Sequence, residues 1–208
     1  MSFSDNVKGF IVKPKETFIA CRDESFAKSY QYYVILLIIF TVLYGIVTIL
    51  TGMNSFAEAT ALMGDVFGPG YGDAVSAFGG FATALDIFFI YLMFVFGLFT
   101  IFISGFMLHC FVLMFGGEKG YRPTLKSMFY AYTPYLLLGW IPIVNIIALI
   151  WTLVLQIIGI SVYHEISMNK AILIVLLPII LTIIGVLLFG VVIASFLSGL
   201  MSLGGISV

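Results

Sequence analysis

The stretch QYYVILLIIFTVLYGIVTILT at residues 31–51 decides the fold of this chain, because it contains no charged residue over its whole length. An α-helix needs about 20 residues, each rising about 1.5 Å, to cross a hydrocarbon core of about 30 Å. The stretch lacks the two-residue alternation of an outer-membrane barrel strand, and a helix satisfies its own backbone amides in lipid. Residues 31–51 therefore predict a transmembrane helix.

The rest of the sequence has the same apolar character. Across its 208 residues, 62% are apolar and 9% are charged, whereas soluble domains carry about 25% charged residues. The first apolar stretch follows a charged segment and is longer than the h-region of a signal peptide, which has roughly 7–15 residues. We therefore predict an integral membrane protein that retains its first span.

Four more spans are predicted downstream. Residues 87–115 are uncharged and too short for two crossings of about 20 residues each, so they predict one long, tilted helix. No charged residue occurs between Lys126 and Glu165, and the sequence GWIP at 139–142 divides this stretch into two spans joined by a tight turn. Pro134 is expected to bend the third span. The five predicted spans are residues 31–51, 87–115, 125–139, 142–163 and 171–196.

The positive charges predict the orientation of these spans. All nine Lys and Arg residues lie before the first span, in the connection 116–126, or at position 170. The segments 52–86, 139–141 and 197–208 contain none. Because Lys and Arg concentrate on the cytoplasmic side of membrane proteins, we expect a cytoplasmic N-terminus. Five crossings then place the C-terminus outside, and the predicted fold is an all-α integral membrane protein with five transmembrane helices.

Residues 1–29 are predicted to form an amphipathic cytoplasmic segment in front of the membrane domain at residues 30–208. The apolar residues of this segment follow the spacing of a helix face before and after Pro14, which indicates two short amphipathic helices. These apolar residues are Phe3, Val7, Phe10, Ile11, Phe18, Ile19 and Phe26. Two interpretations stay open: the helices lie on the inner membrane surface with their lysines toward anionic headgroups, or they pack against the inner end of the bundle.

The connection between the second and third spans carries signals for helix ends. Gly116 and Gly117 are suited to end the second helix in a left-handed conformation. Thr124 is placed to cap the third helix. Lys119 and Arg122 are expected at the level of the lipid headgroups.

Two histidines are the candidates for chemistry inside the bundle. His109 lies near the end of the second span and His164 at the end of the fourth, so both are expected in the same cytoplasmic layer. Polar groups inside a membrane are often functional, and a metal or proton site would use these histidines with Glu118 and Glu165. The alternative is structural: His109 hydrogen-bonds a neighbouring helix, and His164 interacts with a helix dipole.

The enzyme motifs in this sequence are incomplete. The sequence HEISM at 164–168 has Met where the helix of a zinc protease carries its second histidine ligand. Ser104 and His109 lie about 140° apart around one helix and cannot pair within it. The basic residues follow the membrane boundary and form no cluster for a phosphate backbone. We therefore predict a non-enzymatic protein that has no cofactor and does not bind nucleic acid.

Several short motifs stand at the ends of the predicted spans and together cover most of the chain. They are Pro14 with Thr17-Phe18, His109, FGGEKG at 115–120, Thr124-Leu125, YAYTP at 130–134, Ile150-Trp151, HEIS at 164–167 and Lys170-Ala171. In this order and spacing they resemble the Yip1 domain family.

The resemblance implies a membrane-organising protein without known enzymatic activity. Eukaryotic members of the Yip1 family work in vesicle traffic between the ER and the Golgi, and they associate with Rab GTPases and with membrane-shaping partners. The segment at residues 1–29 lacks the long region that precedes the spans of eukaryotic members, so a Rab-type GTPase is not an expected partner. We expect the plasma membrane of a bacterium or archaeon, or an endomembrane if the source is eukaryotic.

Two functions from different classes remain open. The first is an adaptor or membrane-shaping protein that contacts the lipid bilayer and protein partners at its cytoplasmic face, with a homo-oligomer left open. Its predicted surface residues are Phe10, Pro14, Phe18, Gly116, Gly117, Lys119 and Arg122. The second is a small channel or transporter linked to a metal or to protons. Its predicted polar pathway consists of Asp86, His109, Asn145 and Gln156.

Overall fold

The computed structural model describes residues 2–51, 68 and 79–203, and every regular element in these residues is an α-helix. The helices in chain order are α1 (Phe3–Val12), α2 (Pro14–Ala20), α3 (Phe26–Thr51), α4 (Gly79–Met114), α5 (Tyr121–Ala131), α6 (Thr133–Leu138), α7 (Val144–His164) and α8 (Met168–Leu203). The all-helical prediction is confirmed for this part of the chain.

Four of the described helices are long and apolar enough to cross a membrane. They are α3, residues Ala84–Met114 of α4, α7, and residues Met168–Phe196 of α8. They correspond to the first, second, fourth and fifth predicted spans, and they support an integral membrane protein. The helix α3 begins before the predicted span and contains Lys28, whose charge is paired with Glu24 at 2.6 Å.

The predicted third span at residues 125–139 is formed by two short helices rather than one. The helix α5 ends at Ala131 and α6 begins at Thr133, with Tyr132 between them. Pro134 stands in the first turn of α6, where its missing N–H group is tolerated, but its ring opposes a continuous helix through the preceding residues. The bend expected at Pro134 is therefore a helix break.

Glycines mark the end of α4 and the start of α5. Gly116 has a φ of 85°, and the N–H of Gly117 donates to the carbonyl of Val112 at 2.8 Å, which closes the end of α4. Gly120 has a φ of 82° and precedes the first residue of α5. Thr124 thus lies inside α5. The prediction that Thr124 caps this helix is wrong, because the helix begins before it.

Two short helices stand on either side of Pro14 and pack closely on each other. The helix α1 begins with a capping box in which the side chains of Ser2 and Asp5 bond to each other's backbone N–H groups. Pro14 is the first residue of α2, where a proline ring favours the helical φ. A Cβ atom at Gly9 would lie 2.5 Å from Oγ1 of Thr17. Gly9 therefore allows the close approach of α1 to α2.

The largest buried side chains gather at one end of the bundle, where α1 and α2 meet α3, α5 and α7. Phe10 and Phe18 are fully buried. The ring of Phe10 stacks on Tyr130 with centroids 5.0 Å apart, and Phe18 meets Tyr163 edge to face at 5.8 Å. Aromatic pairs of this kind contribute about 0.5–1.5 kcal/mol beyond their buried area. The N-terminal helices are thus packed against the end of the bundle.

The opposite half of the bundle has less protein around it within the described residues. Every residue from 180 to 196 in α8 is exposed. These residues belong to a membrane-spanning helix with a mainly apolar sequence. Lipid tails are as apolar as these side chains, so this surface of α8 is suited to contact with a bilayer.

Candidate functional site

Charged side chains from three parts of the chain contact one another at Glu165. Glu165 follows the last residue of α7 and has a left-handed conformation, with a φ of 55° and a ψ of 37°. Its carboxylate accepts hydrogen bonds from Arg22 and from Lys119, whose Nζ lies 2.6 Å from Oε2. We call the end of the bundle that contains Arg22, Lys119 and Glu165 the basic end.

The two cations stabilise the ionised form of Glu165. Hydrogen bonds and charge from Lys119 and Arg22 lower the pKa of Glu165 to about 2. In turn, the hydrogen bond with Glu165 raises the pKa of Arg22. All three side chains are partly exposed, so water and salt screen the attraction between them. The main effect of the cluster is therefore to hold three segments in position. Its contribution to the free energy of unfolding is limited by this screening.

A second polar cluster attaches the segment between α2 and α3 to α5. The Nζ of Lys126 donates to the carbonyl oxygens of Arg22 at 2.7 Å and of Glu24 at 2.6 Å. The side chain of Glu24 accepts from Tyr130 at 2.7 Å and from Lys28 at 2.6 Å. Burial raises the pKa of Glu24, but the hydrogen bonds from Lys28 and Tyr130 outweigh burial and leave that pKa lowered. Both the backbone and a side chain of the segment between α2 and α3 are thus hydrogen-bonded to α5.

His109 and His164 are brought together by Thr124, the residue predicted to cap α5. The Oγ1 of Thr124 lies 2.9 Å from Nδ1 of His109 and 2.9 Å from Nε2 of His164. The three side chains come from α4, α5 and α7, and each is at most 9% exposed. A hydroxyl group has one hydrogen to donate, so at least one imidazole must donate its own N–H to Thr124. The cluster is therefore a hydrogen-bonded link between three helices.

One nitrogen of this cluster lies against a glycine. The Nδ1 of His164 is buried and has no hydrogen-bond partner among the described residues. A Cβ atom at Gly117 would lie 3.2 Å from this nitrogen and 2.4 Å from Cγ1 of Val112. Gly117 therefore lets the connection between α4 and α5 approach the end of α7 and cover the imidazole.

The four residues predicted for a metal or proton site do not converge. Glu165 pairs with two cations, Glu118 is exposed, and the histidines bond to Thr124. In the described part of the chain, no three metal-ligating side chains come together. A structural zinc site needs four protein ligands and a catalytic one needs three. The arrangement fits a structural hydrogen-bond cluster better than a metal centre.

The family of this chain follows from a match over most of its length. Residues 8–190 match the profile of the Yip1 domain. This chain belongs to the Yip1 domain family. The match begins in α1 and ends in α8, so the basic end and the histidine cluster both lie within the Yip1 domain. Comparisons with curated proteins and with solved structures gave no significant match.

The predicted surface residues occupy both exposed and buried positions in this Yip1 domain. Gly116, Lys119 and Arg122 are exposed, and Pro14 is half-buried. The buried ones are Phe10, Phe18 and Gly117. The interpretation of the two phenylalanines as surface residues is corrected, because their rings pack into the bundle. Each N-terminal helix has apolar residues on more than one side, so its sequence does not show which side is buried.

A different set of N-terminal residues faces outward from the Yip1 domain. Ile11, Val12 and Ile19 are 43%, 72% and 54% exposed. Exposed lysines stand beside them on the same two helices and at the turn between them. We call these six residues the N-terminal outer face: Lys8, Ile11, Val12, Lys13, Lys15 and Ile19.

The predicted polar pathway is not continuous among the described residues of this Yip1 domain. Asp86 and His109 lie toward opposite ends of α4, and Asn145 is exposed at the start of α7. His109 bonds to Thr124, whereas Gln156 lies beside Tyr132. Asp86 is buried, and its Oδ2 has no partner within the described residues. The four groups thus form no continuous polar pathway among the described residues.

Proposed function

We propose that this Yip1 domain protein is a non-enzymatic, membrane-organising adaptor that acts on the lipid surface through its N-terminal outer face. The observation that carries the proposal is the exposed apolar and basic face of α1 and α2, which are themselves held to the bundle by Phe10 and Phe18. A bundle of apolar helices thus carries an amphipathic surface at one end.

The chemistry of the N-terminal outer face suits an anionic membrane surface. Interfacial helices bury an apolar side about 5–10 Å into the boundary between headgroups and acyl chains. Each Lys near an anionic surface contributes about 1 kcal/mol to binding, although Lys13 also pairs with Glu16 at 3.8 Å. Apolar side chains inserted into one leaflet only would occupy area in that leaflet. A membrane-shaping role therefore follows from the same residues.

The histidine cluster supports a structural role rather than a catalytic one. His109 and His164 both bond to Thr124, and this link joins α4, α5 and α7. A hydroxyl group beside a histidine can act as a nucleophile, but Thr124 is fully buried in the bundle, where a substrate would not reach it. The cluster stabilises the basic end, on which the N-terminal helices sit.

We also propose that the chain crosses the membrane five times. Lys119 and Glu165 are in contact, so the end of α4 and the end of α7 lie at the same side. The helix α7 has 21 residues, which gives a length of about 31 Å, so its start at Val144 lies near the far side. The ring of Tyr135 in α6 contacts that of Phe40, well inside α3, at 5.6 Å. The pair α5 and α6 would thus complete the crossing.

The direction of the crossings follows from the positive charges. With the basic end in the cytoplasm, the N-terminus is cytoplasmic and the C-terminus lies outside. The plasma membrane of a bacterium or archaeon is the proposed location. Protein partners at the cytoplasmic face would meet the exposed residues Gly116, Lys119 and Arg122 beside the N-terminal outer face.

Reconstitution of the full chain into anionic liposomes tests the proposed function. We expect the wild-type protein to produce narrow or tubular vesicles in electron micrographs, and the triple variant I11S/V12S/I19S to leave the vesicles round. These three side chains are exposed, so the variant should keep its fold. If the triple variant and the wild type give the same vesicle shapes, the proposal fails.

Charge variants provide the matched control for this experiment. K8Q/K13Q/K15Q should weaken the effect on anionic vesicles and leave neutral vesicles unchanged, because only an anionic surface attracts these lysines. K8R/K13R/K15R keeps all three positive charges at the same positions. This control should behave as wild type on anionic vesicles. An equal loss in both variants would contradict a role of these charges.

A further inference from the structure

A cavity of about 430 Å³ lies among α4, α7, α8 and the junction between α5 and α6. It is lined by Ser104 and Met107 of α4, by Tyr132 at the junction, by Gln156 of α7 and by Pro178 of α8. Ligand pockets in proteins have volumes of about 300–1,000 Å³. The cavity is therefore large enough for a small molecule or for part of a lipid.

The cavity lies at mid-depth in the membrane. Pro178 comes ten residues after the start of α8 at Met168, or about 15 Å along the helix. Gln156 comes eight residues before the end of α7 at His164, or about 12 Å. Both helix ends belong to the basic end, and half of a hydrocarbon core is about 15 Å. The cavity is thus near the midplane of the bilayer.

The mouth of the cavity faces the lipid. Met107 on α4 and Ile183 on α8 both line the cavity and are 58% and 55% exposed. Ser104 and Thr182 also line it and are exposed. These residues lie on helices that are long and apolar enough to cross a membrane, about half a hydrocarbon core from the basic end. A ligand would therefore enter sideways from the bilayer.

Two of the polar side chains in the cavity are satisfied within their own helices. Ser104 donates to the carbonyl of Thr100 at 2.8 Å, and Thr182 donates to that of Pro178 at 2.7 Å. Their hydroxyl hydrogens are thus not offered to a ligand.

The other polar pair in the cavity retains a donor. The side chain of Gln156 lines the cavity beside Tyr132. A glutamine amide has two N–H groups, so a single contact with the Tyr132 hydroxyl leaves at least one N–H of Gln156 over. An amide N–H without an acceptor is unfavourable in an apolar environment. The cavity therefore combines apolar walls with one hydrogen-bond donor near the midplane.

We propose that this cavity binds a neutral, lipid-soluble compound that carries a carbonyl group. Its carbonyl oxygen accepts a hydrogen bond from Gln156, and its apolar tail extends through the mouth into the bilayer. Phospholipid ester groups lie near the interface, so at this depth a phospholipid offers only methylene groups. A neutral carbonyl compound reaches the midplane without the cost of burying a charge.

The test uses the full chain in lipid nanodiscs with two probes. One is a short-tailed prenyl quinone analogue, and the other is a hydrocarbon of the same shape without the carbonyls. We expect the wild-type protein to bind the quinone probe about tenfold more tightly in equilibrium titrations, because one net hydrogen bond contributes about that factor. Q156L should abolish this preference. N145L removes a polar group from the same helix outside the cavity and should keep it.

Two results would overturn the proposal: equal binding of both probes by the wild-type protein, or a full preference for the quinone probe in Q156L. The variant S104F provides a second measurement should Q156L fail to fold. It places a large side chain at the mouth of the cavity from an exposed position. It should weaken binding of the quinone probe about tenfold by exclusion, and unchanged binding would equally overturn the proposal.

Discussion

Arg22 and Glu165 are 143 residues apart in sequence, and their side chains form an ion pair. The pair links the segment after α2 to the residue that ends α7. Lys119 joins the same carboxylate from the connection between α4 and α5. Three connections that are distant in sequence are thus held together at the basic end, directly beside the packed N-terminal helices.

Replacing Glu165 should loosen the N-terminal helices. E165Q keeps the size of the side chain but removes the charge that attracts Arg22 and Lys119. We expect faster hydrogen exchange in α1 and α2, measured by mass spectrometry in detergent. E118Q is the control, because Glu118 is an exposed acidic residue of the connection that contains Lys119. Equal exchange in E165Q and the wild type would show that aromatic packing alone holds the segment.

The Glu165 cluster should also make stability depend on pH. Lys119 and Arg22 lower the pKa of Glu165 from 4.5 to about 2 in the folded protein. A lowered folded pKa contributes stability above the unfolded value, and this contribution is lost as the pH falls from about 4.5 to 2. The difference in melting temperature between the wild type and E165Q should therefore shrink over that range. A difference that stays constant would contradict the pairing.

Thr124 should be required for its hydroxyl group rather than for its shape. T124V leaves a buried nitrogen on each of His109 and His164 without its partner, at a cost of about 1–3 kcal/mol in the free energy of unfolding. T124S keeps the hydroxyl and should stay closer to the wild type. Unfolding by denaturant in mixed micelles measures both variants. A larger loss in T124S than in T124V would show that packing dominates at this position.

Two neighbouring residues of α2 should respond very differently to truncation. Phe18 is fully buried against Phe10 and Tyr163, so F18A should lower the free energy of unfolding by about 3–5 kcal/mol. Ile19 is 54% exposed, and I19A should change the free energy of unfolding by less than about 0.5 kcal/mol. The same unfolding assay compares them. Similar losses in the two variants would contradict the packing of α2 on the bundle.

The proposed five crossings predict which cysteines are reachable from outside the cell. In a variant without Cys21 and Cys110, N145C should react with a membrane-impermeant maleimide on intact cells. N169C lies at the basic end and should react only after the membrane is permeabilised. Both positions are exposed, so burial does not bias the comparison. Labelling of both cysteines only after permeabilisation would contradict the crossing by α5 and α6.

The long spans and the end of α4 could be predicted from sequence, because charge-free length and a glycine pair depend on local physics. Gly116 has the left-handed conformation expected of it. The break at Tyr132 could not be predicted with the same ease, since Pro134 is compatible with either a kink or the start of a new helix. The local sequence thus indicated a distortion near Pro134, but it did not show whether the helix bends or ends there.

The candidate site was only partly visible in the sequence. The shared layer of His109 and His164 followed from their distances to the ends of their spans. The role of Thr124 did not, because it depends on where α5 begins and on contacts with two other helices. The inward orientation of Phe10 and Phe18 was likewise set by tertiary packing, since apolar residues occur on both sides of α1 and α2.

The exposed stretch at residues 180–196 of α8 has a consequence for the shape of the molecule. Among the described residues, the leaflet at the basic end contains the packed aromatic cluster, whereas the other leaflet surrounds helices with fewer protein neighbours. Under the proposed orientation, the described residues would displace more lipid from the cytoplasmic leaflet than from the outer one. A bilayer relieves such an area mismatch by becoming convex on the crowded side, so the proposed membrane-shaping role would favour convexity toward the side of the lysines.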